Sequence, residues 1–466
     1  MQPRSKRLVA MIAALGLVTA ACAGDDDATP ATDAPPATEA PADEPETTDA
    51  PEPTEPPATE APADDETADD EMTDDEMTDD EMAETDDDGS DDGDVAPATD
   101  DGASSLRATM TSLLQEHVYL AGITIDVAVA AGGDVEDPTV QAAMTELDAN
   151  SVALSEAVAS VAGEENGEAF LGLWREHIGF FVDYTLGVAT GDEAMADQAL
   201  ADLEGYQQAA GAFFEDITGG AIVADELVAG LEGHVSTLTA AIDSVVAGEP
   251  EAFTNLRSAA QHMFGAALFL SDGIATAAPE MFPGDVESGP AETRAVLTNL
   301  LQEHVYLAGI ALKGAVDAGG DLEAPAVQAA VATLDENSVA LADVVGSVAG
   351  EENGEAFLGL WREHIGFFVD YTLGVATGDE AMAEQARADL DGYKQAAGAF
   401  FEEITAGELP ADALVESLDV HTETVVATID SLVAGDGQVF AELRVAAQHM
   451  PMAALALSTA IVAATS

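Results

Sequence analysis

Basic residues are scarce: 12 lysines and arginines stand against 91 aspartates and glutamates in 466 residues, a formal net charge of −79. Phosphate backbones and anionic lipid surfaces need clustered cations, so this balance excludes nucleic-acid binding and broad contact with an anionic membrane surface. Cysteine occurs once, as Cys22. No intrachain disulfide can form, and any folded domain must be held by its core. The sequence also has no His-Glu-x-x-His, Cys-x-x-Cys-His, Gly-x-Ser-x-Gly, P-loop or dinucleotide fingerprint. Metalloprotease, covalent-haem, serine-hydrolase and nucleotide chemistry therefore have no motif to rest on, and no catalytic residue is nominated. Beyond the N-terminus no second apolar stretch of about 20 residues stands out, which argues against a polytopic membrane protein.

What is present begins with Arg4, Lys6 and Arg7, an apolar run from Leu8 to Val18, and small residues at Thr19, Ala20 and Ala21. That is the layout of an export signal, too short to span a bilayer comfortably. Because Cys22 follows directly, Val18-Thr19-Ala20-Ala21-Cys22 resembles a bacterial lipobox. The expectation is a signal peptide over 1–21, lipidation of Cys22, and an extracytoplasmic protein held at the membrane by its lipid anchor. A plainly secreted protein with an incidental cysteine is the alternative. Residues 22–103 contain no Lys or Arg and are built from Asp, Glu, Thr, Ala and Pro. Such a segment buries too little apolar area to offset its ordering entropy, so it reads as a disordered, extended acidic tether that spaces the folded part from the envelope. Weak capture of divalent cations is a secondary reading of the same acid run.

Past residue 103 the composition turns to Ala, Val, Leu, Gly and Phe, and the chain repeats itself. Residues 104–279 align without a gap with 291–466 at a constant offset, as His117 and His304 show (304 − 117 = 187). Ser160 to Ala196 returns unchanged as Ser347 to Ala383. Each unit of about 175 residues is domain-sized, so this is a duplicated domain rather than a solenoid, with a linker over 280–290 marked by Pro283, Gly284 and Ser288-Gly289-Pro290. Within the first copy, apolar residues at helical spacing and Gly or Pro clusters between them predict helices near 104–131, 138–162, 166–190, 193–217, 224–247 and 250–277. The fold class is all-α: two tandem up-and-down bundles of about six helices each.

All eight histidines fall into equivalent pairs: His117/His304, His177/His364, His234/His421 and His262/His449. None is spent on an unrelated surface position. Met110, Leu113, His117 and Leu120 form one helical stripe; Phe170, Trp174, His177, Phe181 and Tyr184 form a second; Leu227, Leu231, His234 and Leu238 form a third. On the sixth helix either His262 or Met263 takes the inward position. Buried neutral imidazoles cost a few kcal/mol each unless they find hydrogen bonds, a charge partner or a metal. Imidazole is a common ligand of Zn, Cu, Fe and Ni, and helical bundles build such sites from facing helices. The eight histidines are the candidate ligands. Asn150 and Tyr184, with Asn337 and Tyr371 in the second copy, are the polar neighbours expected to orient them.

A ferritin-like site is disfavoured, because Glu116 and Glu176 directly precede His117 and His177 and so lie about 100° off their face. Copper fits the donor set better, since Met263 and Met450 follow His262 and His449; another transition metal, or haem held between two histidines, ranks after it. One geometric condition follows: the imidazole nitrogens of one copy must lie within about 6 Å of one another, since metal–nitrogen bonds are about 2 Å long.

Three segments carry a resemblance: Leu113 to Leu120, Leu173 to Tyr184, and Ala260 to Met263. They resemble an uncharacterised extracellular helical domain of Gram-positive surface proteins, some relatives of which bear a copper amine oxidase-like label belonging to a separate attached domain. The resemblance covers both copies and none of the tether. It implies an exported setting and carries no activity over. Two functions from different classes therefore compete: a His-lined metal- or haem-binding module of the envelope, and a non-catalytic structural or adhesive module with histidines in a core hydrogen-bond network.

Overall fold

A computed structural model describes residues 98–465. The expected signal peptide, Cys22 and nearly all of the acidic tether lie outside the described residues. The helices of the first copy are α1 (Gly102–Ala130), α2 (Pro138–Ala162), α3 (Glu164–Thr190), α4 (Glu193–Ile217), α5 (Ala224–Ala247) and α6 (Ala252–Ala277). Those of the second are α7 (Gly289–Asp317), α8 (Pro325–Ala349), α9 (Glu351–Thr377), α10 (Glu380–Ile404), α11 (Ala411–Ala434) and α12 (Val439–Thr465). Among the described residues there is no strand. In each copy every helix packs on the next, and the sixth returns to the first, so six antiparallel helices close on themselves.

Local chemistry sets the boundaries. Asp101 accepts a hydrogen bond from the Ser104 amide at 2.8 Å, and Asp137 accepts from Thr139 at 2.8 Å with Pro138 in the first turn. A single glycine, Gly163, separates α2 from α3. Gly191, at φ 70°, ends α3 in the left-handed conformation that a side chain would resist, and Asp192 then caps α4.

Two boundaries differ from the sequence reading. The tether was expected to run to residue 103, yet Ala103 is fully buried, Thr99 pairs with Thr459 at 2.7 Å, and Asp101 is the cap of α1. The linker was expected to reach 290, yet Ser288 caps α7 and Gly289–Pro290 form its first turn, where proline's missing N–H costs nothing.

The copies are not beads on a string, for α1 and α7 pack against each other and the described helices belong to one compact unit. The contact exchanges equivalent groups. Tyr119 stacks on Tyr306 at 5.2 Å. Arg444 of α12 binds Glu116 of α1 at 2.8 Å, and Arg257 of α6 binds Glu303 of α7 at 3.1 Å. Arg107 donates to the Val286 carbonyl at 2.7 Å, and its counterpart Arg294 donates to the Thr99 carbonyl at 2.8 Å. This is the self-complementary pattern of a two-fold interface, built here within one chain.

That packing also corrects the reading of apolar stretches. Helices α1 and α12 are both long and apolar enough to cross a membrane by length and composition, with mean hydropathies of 1.2 and 1.4 over their best windows. In α1, 72% of that window is buried inside the protein, because the helix serves its own bundle on one side and α7 on the other.

Candidate metal centre

His117, His177 and His234 come from α1, α3 and α5, the alternate helices that run in one direction, and each lies near the middle of its helix. Each stands on an apolar stripe, so burying that stripe carries the imidazole into the bundle axis; their exposures are 1%, 1% and 5%. One nitrogen from each lies within 4.8 Å of the others. A triangle with sides that long has its centre about 2.8 Å from each corner (4.8/√3), so inward shifts of under about 1 Å give bonds of about 2.0–2.1 Å. The condition of about 6 Å is met by these three imidazoles of the four in the copy.

Aromatic rings wall the cluster. Trp174 lies 4.7 Å from the His117 ring and 4.5 Å from the His177 ring; Tyr206 of α4 stacks on His177 at 4.7 Å, and Phe181 meets His234 edge-on at 5.9 Å. Burial, and then the neighbouring imidazole His234, pushes His117 down from 6.5 to about 3. Burial, and then His262, pushes His234 to about 4, while His177 falls well below the usual value, first through burial and then through its two histidine neighbours. All three are neutral at physiological pH, which is the metal-binding form. Nδ1 of each, and Nε1 of Trp174, is buried with no hydrogen-bond partner. Unpaired buried polar atoms are costly.

His262 is not in the group. Met263 takes the inward position at 5% exposure, and His262, half-buried, donates its Nε2–H to the Gly230 carbonyl at 3.0 Å. The residues expected to orient the imidazoles do other work. Asn150 donates to the Leu113 carbonyl at 3.0 Å and to Glu116 at 3.2 Å, so it supports the contact between copies; Asn337 does the same with Leu300 and Glu303. Tyr184 and Tyr371 donate to Asp243 and Asp430, each at 2.9 Å, two turns further along their helices. Tyr184 shares a stripe with His177 but stands two turns along the axis from it, and Asn150 lies level with His117 but is spent on the α1 backbone and Glu116. Tyr206 was missed from sequence as a wall of the site; its recurrence as Tyr393, also stacked at 4.7 Å on a histidine, was the available signal.

The second copy repeats the layout with a difference. His304, His364 and His421 are buried, their Nδ1 atoms are unpartnered, and burial first of all depresses their pKa values, to about 3 for His304 and about 4 for His421. His304 and His364 stand 5.4 Å apart, as in the first copy. Yet among the described residues only the first copy's triad brings one nitrogen from each imidazole together within 4.8 Å. His449, like His262, stands aside, its Nε2 bonded to Ser417 at 3.1 Å.

Fold and site thus define a duplicated all-α bundle with a buried three-histidine centre able to hold a metal ion. Set against known protein families, characterised proteins and solved structures, the chain matches none.

Proposed function

We propose that this chain is a cell-envelope lipoprotein, anchored through Cys22 and displayed outside the cell, whose first bundle binds one transition-metal ion through His117, His177 and His234. The convergence of three buried, neutral imidazoles within 4.8 Å carries the reading. A core hydrogen-bond network would give those rings partners, and Nδ1 of His117 and of His234 has none among the described residues. Copper, as Cu(I), fits best. The ligands are all neutral and the surroundings apolar, so a monocation suffers less desolvation than a dication, and imidazole suits copper. The anchor and export are supported by the cationic start, apolar run and Cys22 of the N-terminus.

The test is elemental analysis and competitive Cu(I) titration of the full chain purified without a histidine tag. One ion per chain, lost in His177→Leu and kept in His262→Leu, is expected. Metal below about 0.2 equivalents after loading with copper and zinc, or equal binding by His177→Leu, overturns the assignment.

A further inference from the structure

A cavity in the first bundle is too large to be explained by an ion. It has a volume of about 650 Å³ and runs from His177, His234 and Trp174 to the end of the first bundle, where the N-terminus of α1 meets the C-termini of α2 and α6. On α1 the lining runs from Gly102 to Leu114, 12 residues of helix, so the length available is about 18 Å at 1.5 Å per residue. The walls are apolar, with Leu106, Leu154, Phe170 and Phe269 typical of them, and half-exposed Met281 stands at the open end. No Lys or Arg lines the cavity, and the acid Glu226 does. At the inner end stands the ring of Trp174, 8% exposed. Pockets for small molecules have volumes of about 300–1,000 Å³, mostly apolar walls and a few placed polar groups. An unfilled apolar cavity costs stability in proportion to its volume, and water finds few partners in one.

We infer that this cavity is a binding site for an uncharged, long, single-chain apolar molecule with one oxygen-bearing head, such as a long-chain alcohol or ketone. The chain lies along the apolar walls, with one end against the ring of Trp174. A carboxylate head is selected against, because it would be buried with no cationic side chain beside it.

The second copy supplies a natural control. The counterpart of this cavity measures only about 60 Å³. Val344 stands there in place of Ala157 and Ser417 in place of Gly230, and all four residues line their respective cavities. A different cavity of about 560 Å³ reaches His304 and His421, and Trp361 does not line it. The two tryptophans, the only ones in the chain, therefore report separately.

The experiment uses the full, metal-free chain with a long-chain alcohol brominated on the chain, whose bromine quenches a tryptophan it touches. Trp361→Phe, which leaves Trp174 as the fluorophore, is expected to be quenched saturably, and Trp174→Phe is not. Ala157→Val with Gly230→Ser, residues the second copy already folds with, is expected to weaken quenching of Trp174 at least tenfold with helix content unchanged by circular dichroism. The brominated carboxylate of equal length is expected to bind at least tenfold more weakly than the alcohol at pH 7.5. No quenching of Trp174, equal quenching in the plugged variant, or preference for the carboxylate overturns the inference. Because the protein is metal-free throughout, failure of the copper assignment leaves this result standing, and the reverse also holds.

Discussion

At the scale of single residues, the protonation state of the imidazoles separates this centre from an exposed three-histidine site. In an ordinary site, protons compete for the ligands below about pH 6.5, and three such groups lose about a thousandfold in metal affinity by pH 5.5. Here His117 and His234 are held at about 3 and 4, and His177 well below 6.5. Cu(I) affinity should therefore change by less than about threefold between pH 7 and 5.5, measured by competitive titration with folding checked at each pH. A thousandfold fall would mean the imidazoles titrate normally. The second residue-scale test concerns Glu116, 1% exposed and bound by Arg444, Tyr306 and Asn150. Replacing one partner leaves the other charge buried alone, so Glu116→Ala should cost about 3–5 kcal/mol in urea unfolding, whereas Glu116→Leu with Arg444→Met should recover most of it.

Helix ends and close approaches dominate at the scale of elements. A Cβ on Gly187 would sit 2.6 Å from the backbone nitrogen of Ala196, where the last turn of α3 rests on the first turn of α4. Alanine is the better helix former by about 1 kcal/mol, but a backbone contact cannot move aside as a side-chain tip can. Gly187→Ala should lower the melting temperature by the equivalent of about 1–3 kcal/mol. Gly205, mid-helix in α4, has nothing within 4 Å of its would-be Cβ. Gly205→Ala should stabilise by up to about 1 kcal/mol. Thermal melts of the two variants have opposite expected signs, and a shared sign would contradict the packing of α3 on α4.

For the whole molecule, six buried imidazoles tie stability to pH. In the folded, metal-free protein each has a pKa below its unfolded value of about 6.5, so between that pH and the folded pKa the unfolded chain binds more protons and stability falls as pH falls. At pH 5 this amounts to about 2 kcal/mol for an imidazole held near 3 or 4, such as His117, His234, His304 or His421. Since domains hold only about 5–15 kcal/mol in all, the urea midpoint of the metal-free chain should drop steeply between pH 6.5 and 5 and stay flat from 7 to 8. A midpoint unchanged down to pH 5 would contradict neutral burial of the histidines. The duplication, the twelve helices and the inward turn of His117, His177 and His234 were legible in the sequence, because period and apolar spacing are properties of a line of residues. Which of His262 and Met263 faces the axis, what Asn150 and Tyr184 bind, and whether the copies touch were not. Those depend on position along the bundle axis and on the pairing of α1 with α7, which brings Glu116 within reach of an arginine 328 residues away. Ala157 and Gly230 look like unremarkable small residues in the chain. Only when α2 and α5 enclose one space do they line a cavity of about 650 Å³, where Val344 and Ser417 line one of about 60 Å³ in the other copy.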